Sequence, residues 1–426
     1  MSSTKANGGT ATTDPKTPEE GTEVQPPPPR DFSEQEEMIQ SLHRMEASLQ
    51  AMSTVPSAPL SHYRVLPNAV KEAYEIMQQG AALIHGTSTK YTLLGKLDTV
   101  EQTKLSHDLR QGCELLATAC LVLHEASTGS SHSLRHSVIQ ASRAIIATTT
   151  QLMEAYTQGE AWSVAHENMG AQKTGAVWQT CSVILDKKLP LGNRNAMRRD
   201  LFTYVSECQE TMDEFQELVD EGPVRKTDDD AQSTPAETSE PEDTWESFLG
   251  GQNEQYGTPK ELAVAEAALA FLKLSRGTLK LSLQVLDAVG DQLHESNNND
   301  NDDKMPPPSS AEREARLEWM RLLHEECCAV GKGVTDLGTT LYPPLKMSDV
   351  ALQLTLQINR LEKVLDHVID ACITVHDQEQ ETNREVSLEL HVDISSMAGK
   401  LKTALTKRKQ EAATALQAAG VSLTDI

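Results

Sequence analysis

The sequence predicts an all-α protein built as two antiparallel helical bundles joined by an acidic disordered linker. Three observations carry that reading. Long segments repeat apolar residues at a four-three spacing, which keeps one narrow seam facing a neighbour. Aromatics make up only 4% of the chain, so the cores must be filled by Leu, Ala, Val and Ile. No stretch alternates apolar and polar residues between hairpin turns.

The elements follow in chain order. Residues 1–32 are rich in Thr, Ser, Gly, Glu and Pro and hold too few apolar groups to order themselves, so a disordered tail is expected. Ser33 and Glu36 match a capping box, from which a helix reads to about Met52. Further helices read over about 62–86, 98–126, 131–157, 171–187 and 193–222. In 131–157 the seam is plainest: Leu134, Val138, Ala141, Ile145, Thr148, Leu152 and Ala155. Residues 33–222 are thus expected to form the first bundle.

The stretch 223–257 contains Asp228-Asp229-Asp230 and is acidic and rich in Pro, Ser and Thr, the composition of an interdomain linker. Trp245, Phe248 and Leu249 form one apolar island within it that can dock on a domain. Order resumes at Thr258, where Thr caps, Pro259 takes the first helical position and Glu261 reaches back. That helix reads to about His294, and a polar loop spans Asn297 to Ser310. Ser309 and Glu312 open the next helix, which runs to Leu341. A seam of Met347, Ala351, Leu354, Ile358, Leu361, Leu365, Val368, Cys372 and Val375 follows, and reads as core rather than as a leucine zipper. Thr382 and Glu385 offer a further box, and Gly420 a left-handed stop, so the second bundle is expected over 258–420.

Between the last two long seams sits Leu341-Tyr342-Pro343-Pro344-Leu345. Two prolines in a row stop a helix. The run reads as a tight turn in which Tyr342 and the leucines cover the core end, with Pro344 suited to the first turn of the next helix.

Charge and cysteine usage narrow the partners. The net charge of −25 repels nucleic acid and anionic lipid, so neither is expected to bind. Seven cysteines without paired spacing read as reduced intracellular thiols. The polar start and the lack of a long apolar run point to a soluble cytosolic or nuclear protein without a membrane span.

Chemical motifs fall short. No His has Glu three residues before it, and Asp291 before His294 is the nearest approach. His324-Glu325 lacks the second histidine of a zinc protease, and Gly331-Lys332-Gly333 lacks phosphate-loop spacing. Cys327 and Cys328, adjacent on a helix, point about 100° apart and do not readily share an ion, so one is expected to pack inward. Cys372 and Trp178 read as core. No catalytic, cofactor-binding or metal-binding residue is assigned, and the chain reads as a non-enzyme.

Arg199-Asp200-Leu201-Phe202 has the Arg-x-Leu-Phe form of a short docking motif, as in part do Arg64-Val65-Leu66 and Arg321-Leu322-Leu323, yet Leu201 and Phe202 are wanted inside a helix. Lys407-Arg408-Lys409 reads as cations on a solvent face, with nuclear import as the alternative. Thr17-Pro18 and Thr234-Pro235 suit a proline-directed kinase, whereas Thr258 should be shielded by its capping bond.

The run Gly333 to Leu345 with its following helix resembles the C-terminal signature of the cyclin D-binding protein family, also called GCIP. Leu134-Arg135 leading to Gln151–Glu154, Val177-Trp178 with Cys181, Leu189-Pro190, and Ala267–Ala270 with Leu274–Arg276 fit the same family. The resemblance covers about residues 60–420. It implies an all-helical, non-enzymatic protein of nucleus and cytoplasm that binds D-type cyclins and restrains cyclin-dependent kinase action on the retinoblastoma protein. Helix-loop-helix transcription factors are further expected partners. The alternative reading is a helical scaffold of the vinculin and α-catenin kind.

Overall fold

The computed structural model describes residues 32–55, 58–94, 99–159, 169–223, 255–292, 309–380 and 385–422. Within these spans it describes side chains except at 99, 291–292 and 371–392. Among the described residues the chain is all-α, with ten α-helices. They are α1 (Ser33–Met52), α2 (Asn68–Leu94), α3 (Thr99–His124), α4 (His132–Thr157), α5 (Met169–Leu185), α6 (Gly192–Glu221), α7 (Pro259–Gln292), α8 (Ser310–Thr339), α9 (Met347–Gln380) and α10 (Glu385–Ala418).

Helices α1 to α5 pack around one core, in which Met77, Ile84, Leu109, Leu116, Ile145 and Leu152 are fully enclosed. A second core gathers Phe271, Leu279, Leu323, Leu337, Leu354 and Leu361 from α7 to α9, with Leu405 and Leu416 of α10. The seam of α9 is buried from Ala351 to Val368 and Met347 is half-buried, as a core seam requires. Its last members, Cys372 and Val375, lie outside the described side chains.

Helix α6 departs from the expected division. Its first turns touch the first core through Ala196, but Met197, Leu201, Cys208 and Phe215 join the second core, against α7 and α8. These four lie on one stripe at spacings of four and seven, so they face one partner together. Assigning 193–222 to the first bundle therefore holds only for the start of the helix.

The described ends of the acidic segment meet as a result. Pro223 pairs with Tyr256 in an isolated parallel bridge. Tyr256 is buried, and its hydroxyl donates to the Leu341 carbonyl at 3.1 Å. The two ends of the segment are thus held together, between two helices that pack on each other. Trp245, Phe248, Leu249, Thr234 and Thr17 lie outside the described residues.

Local signals explain most helix ends. Thr258 and Glu261 exchange both capping bonds, at 3.1 and 3.2 Å. Ser309 and Glu312 do the same at 2.8 and 3.3 Å. Gly420, at φ +91°, closes α10, with the Val421 N–H donating to the Leu416 carbonyl and the Gly420 N–H to that of Gln417. The Ser33 box is not the start of α1. Phe32 is the N-cap residue, and its carbonyl already takes the Glu36 N–H at 2.9 Å. Helix α2 starts at Asn68, after Pro67, rather than near 62, and runs past Gly86 because Tyr91 is buried edge-on to Tyr156, 5.1 Å between ring centres. The Thr382 position lies outside the described residues.

The chain from α5 into α6 is pinned by one side chain. Asn193 is fully buried. Its amide donates to the carbonyls of His62 at 2.7 Å and Gly129 at 2.9 Å, and its Oδ1 accepts from the Ser131 N–H at 2.6 Å. Ser131 in turn caps α4 by accepting from Leu134 N–H at 3.1 Å.

His62, buried beside this knot, is held well below its ordinary 6.5, at about 4, first by burial and then by Arg313. The fold therefore favours the neutral ring. Its contribution is complete above pH 6.5, where the unfolded ring is also neutral, and is lost as pH falls towards 4. We expect roughly 2–3 kcal/mol to disappear across that window. Urea titrations at a series of pH values test this by comparing the native chain with His62→Gln. Parallel curves for the two proteins would show that His62 does not carry the acid sensitivity.

Candidate functional site at the junction of three helices

Three helices meet where the two cores touch. The first turns of α4 supply His132, Ser133 and His136; α6 supplies Asp200 and Tyr204; α8 supplies His324, Cys328 and Lys332. His324 and Cys328 are four residues apart on α8 and so share a face. Asp200 and Tyr204 bear the same relation on α6. The helices cross closely because Gly331 lies under the Tyr204 ring, where a Cβ would come within 2.2 Å of the ring.

His324 is the centre of the group and is buried, while Asp200 and Cys328 are half-buried. Its Nε2 has three polar neighbours: Ser133 Oγ at 3.4 Å, Asp200 Oδ2 at 3.5 Å and Cys328 Sγ at 3.5 Å. Burial works to raise the Asp200 carboxyl, but hydrogen bonds from His324 and Ser133 outweigh it and hold it below the usual range. Burial, and then the Asp200 charge, pushes the Cys328 thiol up. Burial also raises Tyr204 to about 12 and lowers His132.

A Cys, a His and an Asp invite comparison with a nucleophilic triad, and the geometry does not form one. Asp200 and Cys328 both approach the same ring nitrogen, so the carboxylate does not orient the imidazole as a base from its far side. The raised thiol is also the opposite of what a nucleophile needs. What the group does offer is three metal-ligating atoms, all within 4.8 Å of one another. Sequence reasoning weighed Cys327 with Cys328 and His324 with Glu325, and passed over His324 with Cys328. The four-residue spacing was the signal for that pair; Asp200, on another helix, left none.

Other residues singled out by sequence are placed as follows. Cys327 points away from the group and is buried in the second core. Trp178 is not core: it is 41% exposed and stacks on His85 at 5.6 Å, while Val177 and Cys181 face inward. Tyr342, expected to be buried, is 49% exposed. Its hydroxyl donates to Glu214 at 2.5 Å and its ring lies edge-on to Phe215 at 5.0 Å. Of this run only Leu341 and Leu345 are buried, and Pro344, after a cis Pro343–Pro344 bond, precedes α9 rather than opening it.

Leu201 is buried whereas Phe202 is 52% exposed under Arg198, so Arg199-Leu201-Phe202 cannot present both apolar side chains to one groove. Leu323 is likewise buried, and Arg321 is held by Glu318 and Glu325. Leu66 packs half-buried on the first core. Lys407 and Arg408 pair with Glu411, and Lys409 with Glu362, all exposed. No helix among the described residues is long and apolar enough to cross a membrane.

Comparison with known proteins bears on the first half of the chain. Residues 76–221 match the family model described as Grap2 and cyclin-D-interacting, N-terminal. Those residues resemble the N-terminal domain of this family. The match runs from within α2 to the last residue of α6, so it includes the helix that the second core shares. Within the junction, Ser133, Asp200 and Tyr204 belong to the matched domain, whereas His324 and Cys328 come from beyond it. No curated protein matches the chain.

Proposed function

We propose that this chain is a non-enzymatic regulatory protein that binds a D-type cyclin and restrains the associated kinase, lowering phosphorylation of the retinoblastoma protein in nucleus and cytoplasm. The match of residues 76–221 to a cyclin-D-interacting family carries the reading. The junction adds support, since its Cys, His and Asp are not arranged as a nucleophile with its base. Helix-loop-helix factors would engage the same helical surfaces.

The test uses the full-length chain and a purified D-type cyclin. Calorimetry should show saturable binding, and the chain should slow phosphorylation of the retinoblastoma protein by the reconstituted cyclin D kinase. Absence of binding at roughly 10 μM of each partner, where a complex with Kd near 1 μM is mostly formed, would defeat the proposal.

A further inference from the structure

We propose that Asp200, His324 and Cys328 bind one divalent ion of the zinc class, at the junction of α4, α6 and α8. The proposal is independent of cyclin binding. It starts from a shortage at His324 Nε2. A ring nitrogen carries either one proton or one lone pair, so it makes one hydrogen bond. Here it faces Ser133 Oγ at 3.4 Å and Asp200 Oδ2 at 3.5 Å, both beyond the usual 2.7–3.2 Å for nitrogen and oxygen pairs, and Cys328 Sγ at 3.5 Å. Hydrogen bonding from this atom satisfies at most one of the three.

A metal ion satisfies them together. In a tetrahedral site with bonds of about 2.0–2.3 Å, neighbouring ligand atoms stand roughly 3.3–3.8 Å apart. The His324–Asp200 and His324–Cys328 separations, both 3.5 Å, fall in that range. Ser133 Oγ, at 3.4 Å from the same nitrogen, marks the side on which a water or the hydroxyl completes the shell.

The donor set selects the ion. One imidazole, one thiolate and one carboxylate suit Zn²⁺ or Co²⁺, whereas Mg²⁺ and Ca²⁺ take oxygen alone. Charge also balances. The ion displaces the Cys328 thiol proton, which leaves to solvent, and the two positive charges are met by one thiolate and one carboxylate. A neutral assembly tolerates this half-buried place far better than a bare ion. The frame is already rigid, because Tyr204 lies tight on Gly331 one turn away. Occupancy would fasten α6 to α8 directly beneath the start of α4.

The experiment uses full-length protein, reduced, stripped with chelator and titrated with Co²⁺. The expected result is one ion per chain, with a thiolate-to-cobalt charge-transfer band and the intense visible absorption of a tetrahedral centre, both bleached by Zn²⁺. Cys328→Ala removes the charge-transfer band and the neighbouring Cys327→Ala keeps it. Asp200→Asn weakens binding at least about tenfold, the lower end of what losing even a supporting neighbour of a ligand costs. Circular dichroism confirms that each variant is folded. A second measurement needs no variant: Zn²⁺ should slow alkylation of Cys328, mapped by mass spectrometry, in the native chain. No charge-transfer band, a band that survives in folded Cys328→Ala, or a Cys328 alkylated equally fast with Zn²⁺ would each overturn the proposal.

Discussion

Cutting the chain inside the acidic segment should leave two pieces that stay together. The composition of 223–257 alone suggests two autonomous bundles that part when it is cut. Packing says otherwise, because α6 precedes the segment yet fills the core that follows it. Met197, Leu201 and Phe215 are buried there, and at about 1.5–3 kcal/mol for each large apolar side chain they contribute roughly 5–9 kcal/mol of burial. A protease site placed between Asp230 and Ala231 should therefore give fragments that co-elute on gel filtration and separate only in denaturant. Residues 1–222 made alone should bare the α6 stripe and associate or aggregate. Two fragments that elute apart in plain buffer, each folded and monomeric, would show that the second core closes without α6.

Replacing Asn193 should be among the most damaging single changes available. Three backbone groups from two segments, the His62 carbonyl and, before α4, the Gly129 carbonyl and the Ser131 N–H, end on this one buried amide. Asn193→Ala strands the His62 carbonyl and the Ser131 N–H and leaves the Gly129 carbonyl only the Ser61 N–H at 3.4 Å, and at 1–3 kcal/mol for each buried unsatisfied group the loss should be of order 2–5 kcal/mol. Asn193→Asp keeps the shape and the acceptor but turns a carboxylate towards two carbonyls. It should cost at least as much, since a buried charge without a partner is heavily penalised. Urea unfolding measures both. A loss under about 1 kcal/mol in either variant would mean that water takes over the amide's role.

The parts of this fold that sequence made legible are those fixed by near neighbours in the chain. The boxes at Thr258 and Ser309, the stop at Gly420 and the α9 seam each depend on residues within one or two turns. What stayed hidden depends on which helix faces which. The stripe Met197, Leu201, Cys208, Phe215 announces a buried face, but periodicity names no partner for it. Tyr342 and Trp178 misled because apolar character was read as burial. One residue along a helix turns the side chain by about 100°, which suffices to bring Trp178 out while Val177 stays in. The junction was half legible for the same reason: His324 and Cys328 are one helical turn apart, and Asp200 reaches them only through the crossing of α6 over α8.

The bridge between Pro223 and Tyr256 changes what the acidic segment can signal. With both ends fastened to each other, its contour length sets no distance between any two parts of the fold. A phosphate on Thr234, worth roughly −1.5 to −2 charges, would then not act as a spacer. It would deepen a negative potential felt within about 10 Å of wherever it sits at 0.1 M salt. Regulation arriving at this segment would be read as field strength, and a visiting partner would sense it through its own positive charge.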